Sequence, residues 1–212
     1  MAYNRAYEAN EYTICFRFGQ PQLIHKMVMP FLAVLCMRKT KGRIIFMDKT
    51  DNYDRTAAVD YAHEWAYSRN PVYYNYDKLG GDCTNFASQC LFQGAHVMNY
   101  RALYGWYYRN ANDKSPSWTG VEYLHDFLVR SKGGAGPFAK KCGVEDIRPG
   151  DIVQLSFDAE RFSHTPFVVE TGSPPRPDNI LVAAHTYDCD KKILSAYTYK
   201  KIRYLHIAGV RR

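Results

Sequence analysis

Cys83 follows a glycine-acidic pair, Gly81-Asp82, and opens a stretch whose apolar residues Phe86, Ala87, Cys90 and Leu91 recur at helical spacing. That pattern predicts a helix beginning at Cys83 and stopping near Gly94. A thiol at a helix N-terminus faces unpaired backbone N–H groups and the positive end of the helix dipole, both of which favour a thiolate. The chemistry this predicts is nucleophilic attack by sulfur. Cys83 and Cys90 are two helical turns apart, too far to bond each other, and Cys90 reads as a small buried hydrophobe.

A cysteine nucleophile needs a base, and the base needs a group that orients it. Seven histidines are available. His63 and His125 fall on predicted helices, His25 lies near the N-terminus and His96 follows a helix end, while His164, His185 and His206 lie among predicted strands. His164 stands at the entry to one strand and His185 at the end of the next, so antiparallel pairing would make them neighbours. Asp82 is expected mainly to cap the helix and fix its turn. Asn85, one turn in, either lines a cleft or bonds backbone. Trp106 and Trp118 either wall a substrate groove or pack in a core.

The elements that must position these residues follow from pattern. Residues 1–46 differ from the rest: a polar start, an apolar run over 27–37 interrupted by Pro30, then Arg38, Lys39, Lys41 and Arg43. The run is too short to span a bilayer, and its flanks do not fit a signal peptide. The division expected is an extension over 1–46 and a folded domain over 47–212. In that domain Ala58, Tyr61, Ala62, Trp65 and Ala66 form a helical stripe with Asp54 as N-cap, and Asn70-Pro71 ends it. A third helix is predicted over 117–129. After the turn Pro149-Gly150 the pattern turns to strands, over 152–157, 165–170, 180–186, 193–199 and 202–208. Helices first and strands afterwards predict an α+β fold, with helices packed on an antiparallel sheet of about five strands.

Composition narrows the function. The net charge of +7 permits an anionic partner, yet no helix-turn-helix, zinc-finger or RNP-like pattern is present, so no specific nucleic acid partner is expected. The six cysteines lack a repeating spacing and metal-site patterns are absent, so free thiols, no metal and no cofactor are expected. A cytoplasmic rather than secreted monomer fits those thiols.

Read together, Tyr53-Asp54-Arg55 with Ala57-Ala58 and Tyr61-Ala62, Asn70-Pro71, Gly81-Asp82-Cys83-Thr84-Asn85-Phe86, Ser88-Gln89-Cys90, Gly105-Trp106-Tyr107-Tyr108, Ser117-Trp118, Gly150-Asp151, Ser163-His164 and His185-Thr186 resemble, in order, the bacterial putative amidase domain family. The resemblance covers about three quarters of the chain, and the stretch around Cys83 is its specific part. It implies kinship with the NlpC/P60 and CHAP papain-like cysteine hydrolases, hence a papain-like fold. On that pattern Cys83 is the nucleophile, His164 the base and His185 the orienting residue, with Asp188 in reserve. The implied activity is hydrolysis of peptide-like amide bonds through a thiol acyl-enzyme, with cell-wall peptides among the substrates. The rival readings are a transglutaminase-like thiol acyltransferase and an inactive relic that binds peptides or a partner protein.

Overall fold

A computed structural model of the chain describes residues 52–130 and 134–212, with the backbone of three short strands before them. The expected N-terminal extension falls almost wholly outside the described residues, as do His25, Cys15 and Cys36. Of it, only a backbone hairpin is described, β1 (Met37–Thr40) paired antiparallel with β2 (Arg43–Phe46). A two-residue strand, β3 (Thr50–Asp51), leads into the domain.

The helical layer comes first. Helix α1 (Arg55–Trp65) starts where the Asp54 carboxylate accepts the Ala57 N–H at 3.0 Å, and it buries Ala58, Tyr61 and Ala62. Helix α2 (Cys83–Ala95) begins at the expected cysteine but runs through Gly94, ending in a left-handed His96 whose N–H bonds Phe92 O. Gly94 is there for a close approach. A Cβ on it would lie 2.2 Å from the Tyr53 ring and 2.7 Å from Asp54 O, where the chain enters α1. The third predicted helix is two, α3 (Pro116–Thr119) and α4 (Val121–Val129), broken at Gly120, whose backbone is extended. A small hairpin of β4 (Tyr108–Asn110) and β5 (Asp113–Lys114) precedes them.

The sheet has seven strands rather than about five. It consists of β3, β6 (Gly136–Cys142), β7 (Ile152–Ser156), β8 (Phe167–Thr171), β9 (Ile180–Ala184), β10 (Cys189–Ile193) and β11 (Lys201–Arg211). Its order is β10-β9-β8-β7-β11-β3, with β6 also on β11, and every pairing is antiparallel. Strand β6 escaped the sequence because Lys140 and Lys141 break its alternation. The strand expected over 193–199 is instead β10 followed by a short 3-10 turn, Leu194–Ala196.

Both faces of the sheet are covered. Phe167, Val169, Ala183, Leu205 and Ile207 meet Phe86, Leu91, Leu124 and Leu128 of the helices. Val153, Leu155, Val168 and Val182 face the other way, onto Leu194 with Tyr197 and Tyr199 against them. Each such side chain, fully buried, contributes roughly 1.5–3 kcal/mol. An ion network ties the layers together. Arg55 of α1 donates to Asp151 Oδ1 at 2.7 Å and to Ile207 O at 2.6 Å, while Asp151 also holds the Ile207 N–H and His206.

Gly94→Ala is expected to lower stability by about 1–3 kcal/mol, because the added methyl collides with Asp54 O, and this outweighs alanine's helix preference of about 1 kcal/mol. Thermal unfolding of the variant beside the wild type checks it.

Candidate active site

Cys83 is presented by a turn of unusual backbone. Gly80 and Gly81 both have positive φ, 101° and 108°, which side-chain-bearing residues rarely adopt. A Cβ on Gly81 would also lie 2.9 Å from Thr186 Oγ1. Thr186 itself has φ 81°, a genuine outlier for a β-branched residue. It is held there in part by its hydroxyl, which accepts the Asp82 N–H at 2.9 Å. Strain of this kind, about 1–3 kcal/mol, marks places where the surrounding structure fixes a local geometry.

Asp82 does not cap the helix, contrary to expectation. No side-chain cap bond forms, because its carboxylate is used elsewhere. Oδ1 accepts the Tyr76 N–H at 3.0 Å and the Asn85 amide at 2.8 Å; Oδ2 lies 2.6 Å from His185 Nδ1. The other His185 nitrogen, Nε2, lies 2.8 Å from Trp65 O and must donate to it, since a carbonyl only accepts. The imidazole also stacks on Phe86, centroids 4.0 Å apart. Both His185 nitrogens are therefore occupied, and neither is free to orient His164. Asp188, the reserve, is likewise committed: it pairs with Arg69 at 2.8 Å, on the surface.

His164 lies in an isolated bridge to Leu155, just before β8, with Pro166 keeping the strand from starting earlier. Its ring sits between Phe157 and Tyr197, at centroid distances of 6.2 and 5.5 Å, and hydrogen-bonds to no other described residue. It shares a cavity of about 280 Å³ with Cys83. Other described histidines are engaged elsewhere: His63 with Asp190, His125 with Asp126, His206 with Asp151.

The electrostatics differ from the expected thiolate. Burial pushes the Cys83 thiol up, opposed by backbone at Thr165 and by Thr84. Burial, with a smaller contribution from the Lys192 charge, brings His164 down to about 4. At neutral pH the two groups thus rest as thiol and uncharged imidazole.

The remaining expected site residues belong to the scaffold. Asn85 takes the Trp118 indole N–H at 2.8 Å and donates to Tyr74 O, so it does not line the cleft. Trp106 and Trp118 are fully buried, Trp106 donating to Ser88 at 3.1 Å; neither walls a groove. Sequence reasoning missed Phe157, Tyr187, Lys192 and Tyr197, which do line the cavity. It also missed a polar chain behind the thiol. Thr84 meets Thr165 at 3.1 Å, Gln154 donates to Thr165 at 3.3 Å, and Arg203 donates to Gln154 at 2.6 Å. The Thr84 and Thr165 hydroxyls touch only through the fold, so no local pattern reveals them. The four described cysteines are free thiols, and no cluster among the described residues could hold a metal ion. No helix among them is long and apolar enough to cross a membrane.

In this α+β protein a buried thiol at a helix start and a buried histidine line one small cavity. The chain belongs to the putative amidase domain family, whose model matches residues 52–208, and that membership points to an amidase-type hydrolase. It is 36% identical over 160 residues to an uncharacterized protein, YhbB, of Bacillus subtilis (strain 168). That match takes in 72% of the chain and 49% of the relative, so the chain spans about half the relative's length. No solved structure gives a significant match.

Two outcomes follow from this geometry. Because folded His164 titrates near 4 rather than 6.5, the unfolded chain binds a proton here between those values while the folded chain does not. Stability is therefore expected to fall as pH drops from 6.5 to 4, by roughly 3 kcal/mol from this residue. Urea midpoints across that range should show a shallower fall in His164→Gln than in wild type. Asp82→Ala leaves His185 buried without its anion and should cost about 3–5 kcal/mol, whereas Asp82→Ala with His185→Phe should recover part of it. Denaturant titration of the four proteins measures the coupling.

Proposed function

We propose that this chain is a cysteine amidase or peptidase of papain-like mechanism and architecture, with Cys83 as nucleophile and His164 as base. The observation that carries this reading is the shared cavity: among the described residues, Cys83 and His164 are the thiol and imidazole that line it. Apo separations between nucleophile and base are commonly loose and tighten when substrate docks.

The steps balance as an ordinary amide hydrolysis. Sulfur attacks the amide carbonyl carbon as His164 takes the thiol proton. Negative charge gathers on the carbonyl oxygen, beside the first-turn N–H groups of α2, which Asp82 leaves uncapped. His164 then gives its proton to the amine nitrogen as the C–N bond breaks, leaving a thioester on Cys83. Water, giving a proton to His164, attacks that thioester; the acid departs and sulfur regains its proton. An uncharged pair at rest suits this order of events, because the histidine begins as a base and the thiol carries the proton it will lose.

His185 acts at a distance in this scheme. It fixes Asp82, and through Asp82 the turn that presents the thiol. The peptide-like amide substrate is inferred from family membership and from a cavity sized for a small acyl or amino-acid moiety.

The test uses p-nitrophenyl acetate as acyl donor and a panel of N-acetylated dipeptide amides. Acetylation of Cys83, seen by mass spectrometry after acid quench, is expected in wild type and absent in Cys83→Ala. Turnover of a cleaved dipeptide amide should fall by about 10²–10⁴-fold in His164→Ala. Amide cleavage that survives Cys83→Ala would overturn the reading.

A further inference from the structure

Among the described residues, Lys192 is a cation without an anion. Its ammonium lies 3.8 Å from the centre of the Tyr197 ring, and no acidic residue pairs with it among the described residues. Its neighbour Lys191, by contrast, reaches Glu170 at 3.6 Å. The local backbone explains the split. Strand β10 is irregular between Cys189 and Lys192, and Lys191 has φ 55°, a left-handed conformation within the bulge. Lys192 returns to register opposite Val182, on the face of the sheet that carries Tyr197.

That face borders the cavity. Lys192 lines it together with Cys83, His164, Phe157 and Tyr197, and among the described residues no aspartate or glutamate does. Its charge is felt at His164, where it adds to the lowering caused by burial. The wall is thus aromatic with one unneutralised positive charge, beside the thiol.

We propose that Lys192 selects substrates carrying a carboxylate next to the scissile amide, with the aromatic rings of Phe157 and Tyr197 taking the adjoining apolar part. The assignment rests on the cavity being the active site, as argued above. A free carboxylate would move the ammonium off Tyr197 onto a stronger partner, because ion pairing in a partly closed cleft exceeds a cation–π contact.

The experiment compares alkylation of Cys83 by iodoacetate and iodoacetamide, reagents that differ chiefly in charge. Rates at Cys83 are read by peptide mass spectrometry at pH 8.5, with the half-buried Cys142 as internal reference. In wild type the iodoacetate-to-iodoacetamide ratio at Cys83 should exceed that at Cys142. It should fall about three- to tenfold in Lys192→Met, as expected for loss of one nearby charge in a medium between protein and water. It should fall further in Lys192→Glu and be retained in Lys192→Arg. A ratio unchanged in Lys192→Met and Lys192→Glu overturns the proposal. The iodoacetamide rate in His164→Ala reports the base by itself, so a failure of the thiol–imidazole reading shows there and not in the ratio.

Discussion

A carboxylate removed from solvent must be met by donors and a positive partner, and the placement of Cys83 depends on how Asp82 meets that demand. Asp82 is fully buried, one residue before Cys83. Its two oxygens gather the Tyr76 amide, the Asn85 side chain and His185. Those three come from the loop before α2, from α2 itself and from the end of β9. Moving any of them moves the turn on which the thiol stands. Arg69 adds a weaker charge contact, 3.6 Å from Oδ2, and carries Asp77 and Asp188 with it. The helix start is therefore fixed by electrostatic matching between three segments, more than by any local capping preference.

The same burial sets the resting state of the site. A helix N-terminus favours a thiolate by a fraction of a kcal/mol to about 2 kcal/mol, whereas removing an isolated charge from water costs several. With Cys83 7% exposed and His164 5% exposed, desolvation wins at both groups, and it acts in opposite directions on their pKa values. The result is an uncharged pair in an aromatic cavity. In the proposed mechanism such a pair gains its charge separation only when a bound carbonyl begins to develop negative charge beside the helix amides. The nearby Lys192 works against protonation of His164, and a substrate carboxylate neutralising that lysine would relieve the opposition.

Much of this was legible in the chain. The start of α2 at Cys83, the Asp54 cap and the antiparallel run of later strands follow from spacing and turn residues. Strand β6 did not, because Lys140 and Lys141 interrupt alternation where one side of the strand meets solvent. Helix α2 ends one residue beyond Gly94, as its place suggested, but the small size of Gly94 also serves contact with Tyr53, which no local pattern shows. Cys83 and His164, singled out by residue type and place, both line the cavity. The partners of His185 were not legible. Strand pairing put it near His164, and only the packed structure gives its two nitrogens to Asp82 and Trp65. Lys192 sits behind a bulge that reverses the side its pattern would suggest.

The dispersed sequence matches acquire a common physical meaning once the contacts are known. Gly81-Asp82 and His185-Thr186 are two halves of one contact, with Thr186 against the space where a Gly81 side chain would be. Arg55 and Gly150-Asp151 are another: Gly150 has φ 89°, and a Cβ there would press on Arg55 at 3.1–3.3 Å while Asp151 takes the guanidinium. Asn85 with Trp118, and Ser88 with Trp106, form a third set within the helical layer. Each pair joins segments far apart in sequence, so each side chain is constrained by a partner that no local pattern discloses. Of the residues in these matches, Cys83, Ser163, His164 and Thr186 line the cavity, and several of the others join the helix layer to the sheet. The scaffold pairs would join the same segments whatever Cys83 and His164 do, which is why the site must be argued from the cavity and not from the matches alone.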